Sequence, residues 1–155
     1  MSTMLFRIGM FMISWTSIML LPKKEVKKYL PVTFFSASIL LTETVLSTVF
    51  KWWKVKGGQK SLIINALSFI FGPFFAINIW IFHFTKNKFF PYVLVNLVFD
   101  LLFAYPLNIL FQKVGFYKLT KFKSIHLFLT AFLYSFANYW FHNYIVSEKN
   151  KGNAS

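Results

Sequence analysis

Two carboxylate residues lie inside long apolar stretches of the sequence. Asp100 is in the middle of the apolar run 88–113, and Glu43 lies within a second run, 30–50. An ionised Asp at the centre of a transmembrane helix costs roughly 2.5 to 3.5 kcal/mol on insertion scales, so it requires a partner, a proton or a water-lined cavity. Residues placed in this way serve proton relays, ion pathways and polar substrate pockets.

Two further polar residues complete a candidate intramembrane site. Asn96 precedes Asp100 by four residues, which places both on one face of a helix. Arg7 lies near the start of the first apolar segment, where its side chain can extend toward Glu43 or snorkel to the head groups, and we expect snorkelling. The candidate polar or relay site therefore comprises Glu43, Asp100, Asn96 and Arg7. Its simpler interpretation is a neutral, hydrogen-bonded core pair that fixes the helix register.

The elements that must position these residues are five apolar segments. The chain has 155 residues, of which 57% are hydrophobic, 22% aromatic and only 14% charged, and its mean hydropathy of +0.56 is too high for a soluble domain. We predict an all-α fold, a polytopic transmembrane helix bundle with five spans that forms a single domain over 1–146. The polar tail 147–155 is predicted to be disordered. The spans cover about 4–21, 30–50, 62–84, 89–112 and 124–146.

Topology sets the depth of the two carboxyls. The second and fourth spans start from the same membrane surface, and at about 1.5 Å per residue Glu43 lies roughly 20 Å and Asp100 roughly 17 Å from it. We therefore expect both carboxyls near the midplane. If the two spans touch, at least one carboxyl must hold a proton at neutral pH, because two like charges at close range oppose each other's ionisation.

The basic residues lie in the connections between spans. A net charge of +13 would indicate nucleic acid in a soluble protein, but these lysines flank apolar runs, as in the compact basic loop predicted at 23–28. They suit anionic head groups, at about 1 kcal/mol per charge. The predicted partner is the lipid bilayer, with no nucleic acid. The longest connection, 113–123, is predicted to be a surface-lying loop, and the lysines that follow the first span favour an external N-terminus.

A stripe of small residues predicts close helix packing. Ser68, Gly72 and Ala76 follow one another at intervals of four in the third span. Such a stripe lets a neighbouring backbone approach, and Pro73 beside it predicts a kink.

Metal and enzyme chemistry have weak support in the sequence. Cysteine is absent, which excludes disulfides, thiolate metal sites and covalent haem attachment. His83 and His142 fall near the same membrane surface, so a bis-imidazole site between the third and fifth spans is conceivable, although interfacial side chains are the simpler interpretation. HExxH, GxSxG and phosphate-binding glycine motifs are missing. We expect no enzyme, no catalytic residue, no metal and no cofactor.

Three short motifs carry a resemblance to known proteins: Pro22–Lys24 after the first span, Lys88–Tyr92 opening the fourth, and Lys123–His126 at the start of the last. With these motifs the sequence resembles small uncharacterised five-helix integral membrane proteins of spore-forming Gram-positive bacteria. The resemblance implies a five-helix architecture and a multi-pass location in the cytoplasmic membrane of the cell. It implies no functional residue.

Two functions remain open at this point. The first is a non-catalytic accessory, interaction or immunity-type protein that works through a membrane-protein partner or as a homo-oligomer. The alternative is a small proton- or cation-coupled carrier that uses Glu43 and Asp100. A carrier requires a hydrated path to the carboxyls, whereas an accessory protein requires them to be sealed and neutral.

Overall fold

The architecture is all-helical. A computed structural model describes residues 2–154, so that residues 1 and 155, the ends of the predicted domain and tail, lie outside the described range. The structure is 84% helical and contains five helices within this range. Three of them, α2, α3 and α4, are long and apolar enough to cross a membrane, and α1 is a shorter apolar helix. The helices are α1 Thr3–Met19, α2 Lys23–Phe50, α3 Gly58–Thr85, α4 Phe89–Lys113 and α5 Ser124–Ala154.

Helices α2, α3, α4 and α5 form a ring in which each packs against the next, and α1 packs against α3. Consequently α2 and α4 face each other across the ring. One apolar cluster joins α1 to α3, and a second, almost fully buried cluster joins α2, α3 and α4, with Tyr139 and Phe141 of α5 packed against it. The first cluster contains Ile18, Leu21, Phe75, Ala76 and Ile79, and the second contains Tyr29, Val32, Ile81, Phe82 and Tyr92.

The small-residue stripe of α3 is the contact surface for α1. A Cβ atom added to Gly72 would lie 3.6 Å from the Cα of Phe11. Ala76 is buried in the cluster that also contains Ile18 and Leu21. The predicted close approach of a neighbouring backbone is thus confirmed, and it positions α1.

Prolines distort both α3 and α4. In α3 the backbone leaves helical geometry at Gly72 (φ −105°, ψ −109°), which produces a kink beside Pro73, and in α4 a π-helical turn spans Phe103–Leu107 around Pro106. Because proline lacks an amide hydrogen, the helical hydrogen bonds around it must be rearranged. In α3 the amide of Phe75 bonds to the carbonyl of Ile70, and the Phe71 carbonyl accepts a bond of 3.0 Å from the Trp15 indole Nε1 of α1. The kink predicted at Pro73 therefore also anchors α1.

Removing this indole donor is expected to weaken the bundle. Trp15→Phe keeps an aromatic ring but leaves the Phe71 carbonyl without its donor, so we expect the free energy of unfolding to fall by about 1–2 kcal/mol. Unfolding by sodium dodecyl sulfate in mixed micelles, followed by far-UV circular dichroism, measures the change. Trp140→Phe is the control, because Trp140 is 67% exposed. Equal losses in the two variants would contradict a role for the indole hydrogen bond.

Two helices extend beyond their predicted ends. The basic segment 23–28, predicted to be a loop, is the first part of α2, and the connection to α1 shortens to residues 20–22. Pro22 precedes the helix and Glu25 lies in its first turn, where a negative charge is favourable. The tail predicted to be disordered from residue 147 continues α5 to Ala154. Its polar side chains are compatible with a solvated helix, and Lys151 Nζ lies 3.1 Å from Glu148 Oε1.

Candidate functional site

A cavity of about 220 Å³ lies between α2, α3, α4 and α5. Glu43 lines it from α2, and Asp100 and Asn96 line it from α4. Three of the four predicted site residues therefore share one space. Most of the remaining wall is apolar, and its other polar members are Thr44, Asn65, Asn78, Tyr117, Thr130, Tyr134, Ser135 and Asn138.

The two carboxyls have different surroundings. Glu43 is only 7% exposed, and the hydroxyl of Tyr134 in α5 lies near it. Asp100 is half-buried, and its Oδ2 atom is buried without a hydrogen-bond partner among the described residues. Asn96, one turn before Asp100, donates from Nδ2 to the carbonyl of Tyr92 at 2.8 Å. Among the described residues, Asp100 is thus the carboxyl with a buried oxygen that no hydrogen bond satisfies.

Each asparagine of the cavity wall, and most of its hydroxyl groups, donates at least one hydrogen bond within the protein. The four wall asparagines, Asn65, Asn78, Asn96 and Asn138, each donate from Nδ2 to a protein oxygen. The wall hydroxyls of Thr44, Thr130 and Ser135 donate to carbonyls of their own helices.

Acceptors, in contrast, remain available. Within the described residues, two buried wall acceptors have no partner, Asp100 Oδ2 and Asn138 Oδ1. Lys, Arg and His are absent from the described lining of the cavity. The wall is therefore rich in acceptors and negative in character.

Arg7 lies at the edge of the site. In place of the predicted snorkelling, its Nε donates to Asn65 Oδ1 at 2.5 Å. The Nδ2 of Asn65 in turn donates to the carbonyl of Phe116. Arg7 is therefore joined through Asn65 to the segment that covers the cavity.

That cover, which we name the lid, consists of residues 51–57 and 114–123. It contains two short antiparallel strands, β1 Trp53–Lys54 and β2 Lys118–Leu119, in which Trp53 pairs with Leu119. Trp53, Phe116, Tyr117 and Leu119 all line the cavity. The prediction that 113–123 lies on the surface is wrong for Phe116, which is buried against the aromatic rings of Phe6 and Phe111.

Polar side chains of α4 fasten the lid. Asn108 is almost fully buried, and its Oδ1 accepts a hydrogen bond of 2.8 Å from the Tyr117 hydroxyl. The Nδ2 of Asn108 donates to Ser124 Oγ at 3.1 Å, and Gln112 Oε1 accepts from the amide of Leu119 at 3.2 Å. Burial raises the pKa of Tyr117 above its ordinary value, so the phenol stays neutral and remains a donor.

Toward the end of the bundle at which α2 begins, and outside the described lining of the cavity, four rings pack together into what we name the floor: Tyr29, Phe82, Tyr92 and His142. The ring of Phe82 lies 5.4 Å from Tyr29, 4.9 Å from Tyr92 and 5.0 Å from His142, measured between centroids. All four rings are almost completely buried. The floor therefore lies between the cavity and that end of the bundle.

The two histidines of the conceivable bis-imidazole site have different partners. His142 belongs to the floor, whereas His83 Nδ1 lies 3.2 Å from Glu25 Oε2. Across residues 2–154, no group of three or more His, Cys, Asp or Glu side chains is placed to hold a metal ion.

A third side of the cavity is an aromatic seam between α3 and α4. Its members are Phe69, Phe103 and Phe111, all of which line the cavity. Phe69 stacks on Phe103 with centroids 5.4 Å apart and meets Phe111 edge-on at 5.9 Å. Between α3 and α4, near their proline-containing distortions, the cavity wall is therefore formed by aromatic rings.

Two residues of α5, Tyr134 and Asn138, belong to the site but were absent from the predicted set. A signal for Asn138 exists, because Ser135, Asn138 and His142 recur at intervals of three and four and so share one face of the last span. Tyr134 carries no comparable signal, since a tyrosine in an apolar helix also suits a lipid interface.

The geometry defines a class of protein: an all-helical bundle, with three helices long and apolar enough to cross a membrane, that encloses a cavity lined by carboxyls. Comparisons with protein-family models, with curated proteins and with solved structures found no match. The functional argument therefore starts from the site itself, because function is carried by sites and fold alone does not determine it.

Proposed function

We propose that the protein is a multi-pass integral membrane protein of the cell membrane in which α1–α5 form five spans. We further propose that its cavity is the exchange site of a small proton- or cation-coupled carrier. One observation carries this proposal: Glu43 and Asp100 line the same cavity, and a buried oxygen of Asp100 has no hydrogen-bond partner within residues 2–154. A role confined to packing would favour carboxyls whose oxygens are all bonded within the bundle.

The character of the outer and inner surfaces supports five spans. Large apolar side chains are exposed on the outside of the bundle, among them Ile13 of α1 and Leu133 of α5. Helix α5 is less apolar than α2, α3 and α4, but its polar Ser135, Asn138 and His142 are buried inside the bundle. Its outward face can therefore meet lipid, and the lysines of the lid and of 23–28 are suited to anionic head groups.

The proposed cycle uses the two carboxyls as one exchange site. A mostly apolar cavity disfavours the charged form of a carboxyl, so in the proposed cycle Asp100 holds a proton when the site is empty. A cation that enters beside Asp100 displaces that proton, and its departure allows the proton to return. The floor lies to one side of the site, and the hinges for opening are the proline-containing distortions of α3 and α4.

Ion flux in proteoliposomes tests the proposal. With the full chain reconstituted around a pH-sensitive dye, we expect a gradient of sodium, of potassium or of a protonated organic amine to drive proton movement in the opposite direction. Asp100→Asn and Glu43→Gln should each slow this movement by roughly tenfold or more, because the transferred proton loses its acceptor. Glu148→Gln is the matched control, since this carboxyl lies at the exposed end of α5 and pairs with Lys151.

An accessory or immunity-type role makes the opposite prediction. If the folded wild-type chain moves no more protons than empty liposomes, or if Asp100→Asn and Glu43→Gln leave its flux unchanged, the carrier proposal is overturned. The carboxyls would then act as packing groups, and the function would lie in contacts with a membrane-protein partner or a second copy of the chain.

A further inference from the structure

We infer that the cavity binds an amphipathic organic amine in its protonated form, with the ammonium group at Asp100, Glu43 and Asn138 and the apolar part against the aromatic seam. This inference rests on the proposed function, because it names the class of cation that the carrier would take. Hydrogen bonding, charge and the shape of the wall support it separately.

Hydrogen bonding selects a donor as the ligand. The wall asparagines and hydroxyls already donate to protein oxygens, whereas Asp100 Oδ2 and Asn138 Oδ1 are buried acceptors without a partner within residues 2–154. A protonated primary amine carries three N–H donors and no acceptor, which complements this wall. A ligand that could only accept hydrogen bonds would leave the two oxygens unsatisfied.

Charge selects a cation. Two carboxyls line the cavity, and the described lining contains no basic side chain to balance them. Charge-assisted hydrogen bonds from an ammonium group to a carboxylate are about twice as strong as neutral ones, and a low-dielectric cavity increases that advantage. An anion would meet only repulsion in the same position.

The remaining wall selects an apolar group attached to that charge. The rings of the aromatic seam, Phe69, Phe103 and Phe111, line the cavity, and its volume of about 220 Å³ exceeds the roughly 150 Å³ of an engineered apolar cavity that holds benzene. A benzene ring with a short aminoalkyl chain therefore fits. A bare metal ion fits less well, because it needs a close cage of oxygens, whereas most of this wall is apolar.

Three probes of equal skeleton separate these contributions in the wild-type chain. 2-Phenylethylamine carries charge and N–H donors, its trimethylammonium analogue carries charge alone, and 2-phenylethanol carries neither charge nor an ammonium group. Titration calorimetry on the full chain in phosphatidylcholine nanodiscs, corrected with empty nanodiscs, gives the three affinities. We expect the amine to bind about tenfold or more tightly than the alcohol, which lacks the charge-assisted bonds, with the trimethylammonium analogue between them.

Variants then locate the ammonium group. Asp100→Asn should weaken binding of the amine by about tenfold while changing the affinity for the alcohol little, and Glu148→Gln should leave both affinities unchanged. The wild-type probe series remains decisive if Asp100→Asn fails to fold. Equal affinity for the amine and the alcohol would overturn the inference, because the cavity would then be a plain apolar site.

The flux experiment tests the proposed carrier and the binding experiment tests the ligand class, so the two proposals can be overturned separately. Proton movement that depends on Asp100, in a chain that binds none of the three probes, would overturn the amine inference and leave the proposed carrier intact. Binding of the amine that requires Asp100, without any flux, would support the ligand class and overturn the carrier.

Discussion

Phe82→Ala is expected to lower the free energy of unfolding by about 3–5 kcal/mol, the range for truncating a buried Phe in a protein core. Phe82 is fully buried and has the rings of Tyr29, Tyr92 and His142 within 5.4 Å of its own centroid. Within a bilayer the loss comes mainly from packing, because lipid tails are as apolar as the side chain that is removed. Removing this ring leaves a void in the floor.

Phe84→Ala is the matched control, two residues further along α3. Phe84 is 68% exposed, so its truncation should change the free energy of unfolding by only about 0.5 kcal/mol. Unfolding of both variants by sodium dodecyl sulfate in mixed micelles, followed by far-UV circular dichroism, provides the comparison. If the two truncations cost the same, the four rings are not a packed floor.

The apolar runs are sufficient to predict the helices but not where they end. A run of this length must satisfy its backbone internally, which determines α2, α3 and α4. The segment 23–28 and the tail after residue 147 contain polar residues that are equally compatible with a loop and with a solvated helix. Whether these segments are helical depends on the helical turns next to them. A hydropathy profile does not contain that information. Strands of two residues, such as Trp53–Lys54, are too short to show the alternation of apolar and polar residues that predicts a strand.

The candidate site, too, can be predicted from the sequence only in part. Glu43, Asp100 and Asn96 could be predicted, because a polar side chain in an apolar helix must point away from lipid and the helical rise sets its depth. The contacts that complete the site join residues far apart in sequence. Arg7 bonds to Asn65, and Asn65 bonds to the backbone of Phe116, and neither bond has a local signature.

Gly72→Leu is expected to lower the free energy of unfolding by about 3 kcal/mol, the upper end of the usual cost of overpacking. A Cβ at this position already lies 3.6 Å from the Cα of Phe11, so the further atoms of Leu must displace the backbone of α1. That displacement also strains the hydrogen bond from Trp15 to the Phe71 carbonyl beside it.

Gly9→Leu, in α1, is the control for Gly72→Leu, because the added side chain has room at this position. A Cβ built at Gly9 meets no atom of the described structure within 4 Å, and Leu favours a helix over Gly by up to about 1 kcal/mol. Its stability in the same unfolding assay should therefore equal or exceed that of the wild type. If Gly72→Leu were as stable as Gly9→Leu, α1 would not pack on the small-residue stripe. The anchoring of α1 to α3, and through Arg7 and Asn65 to the lid, would then need another explanation.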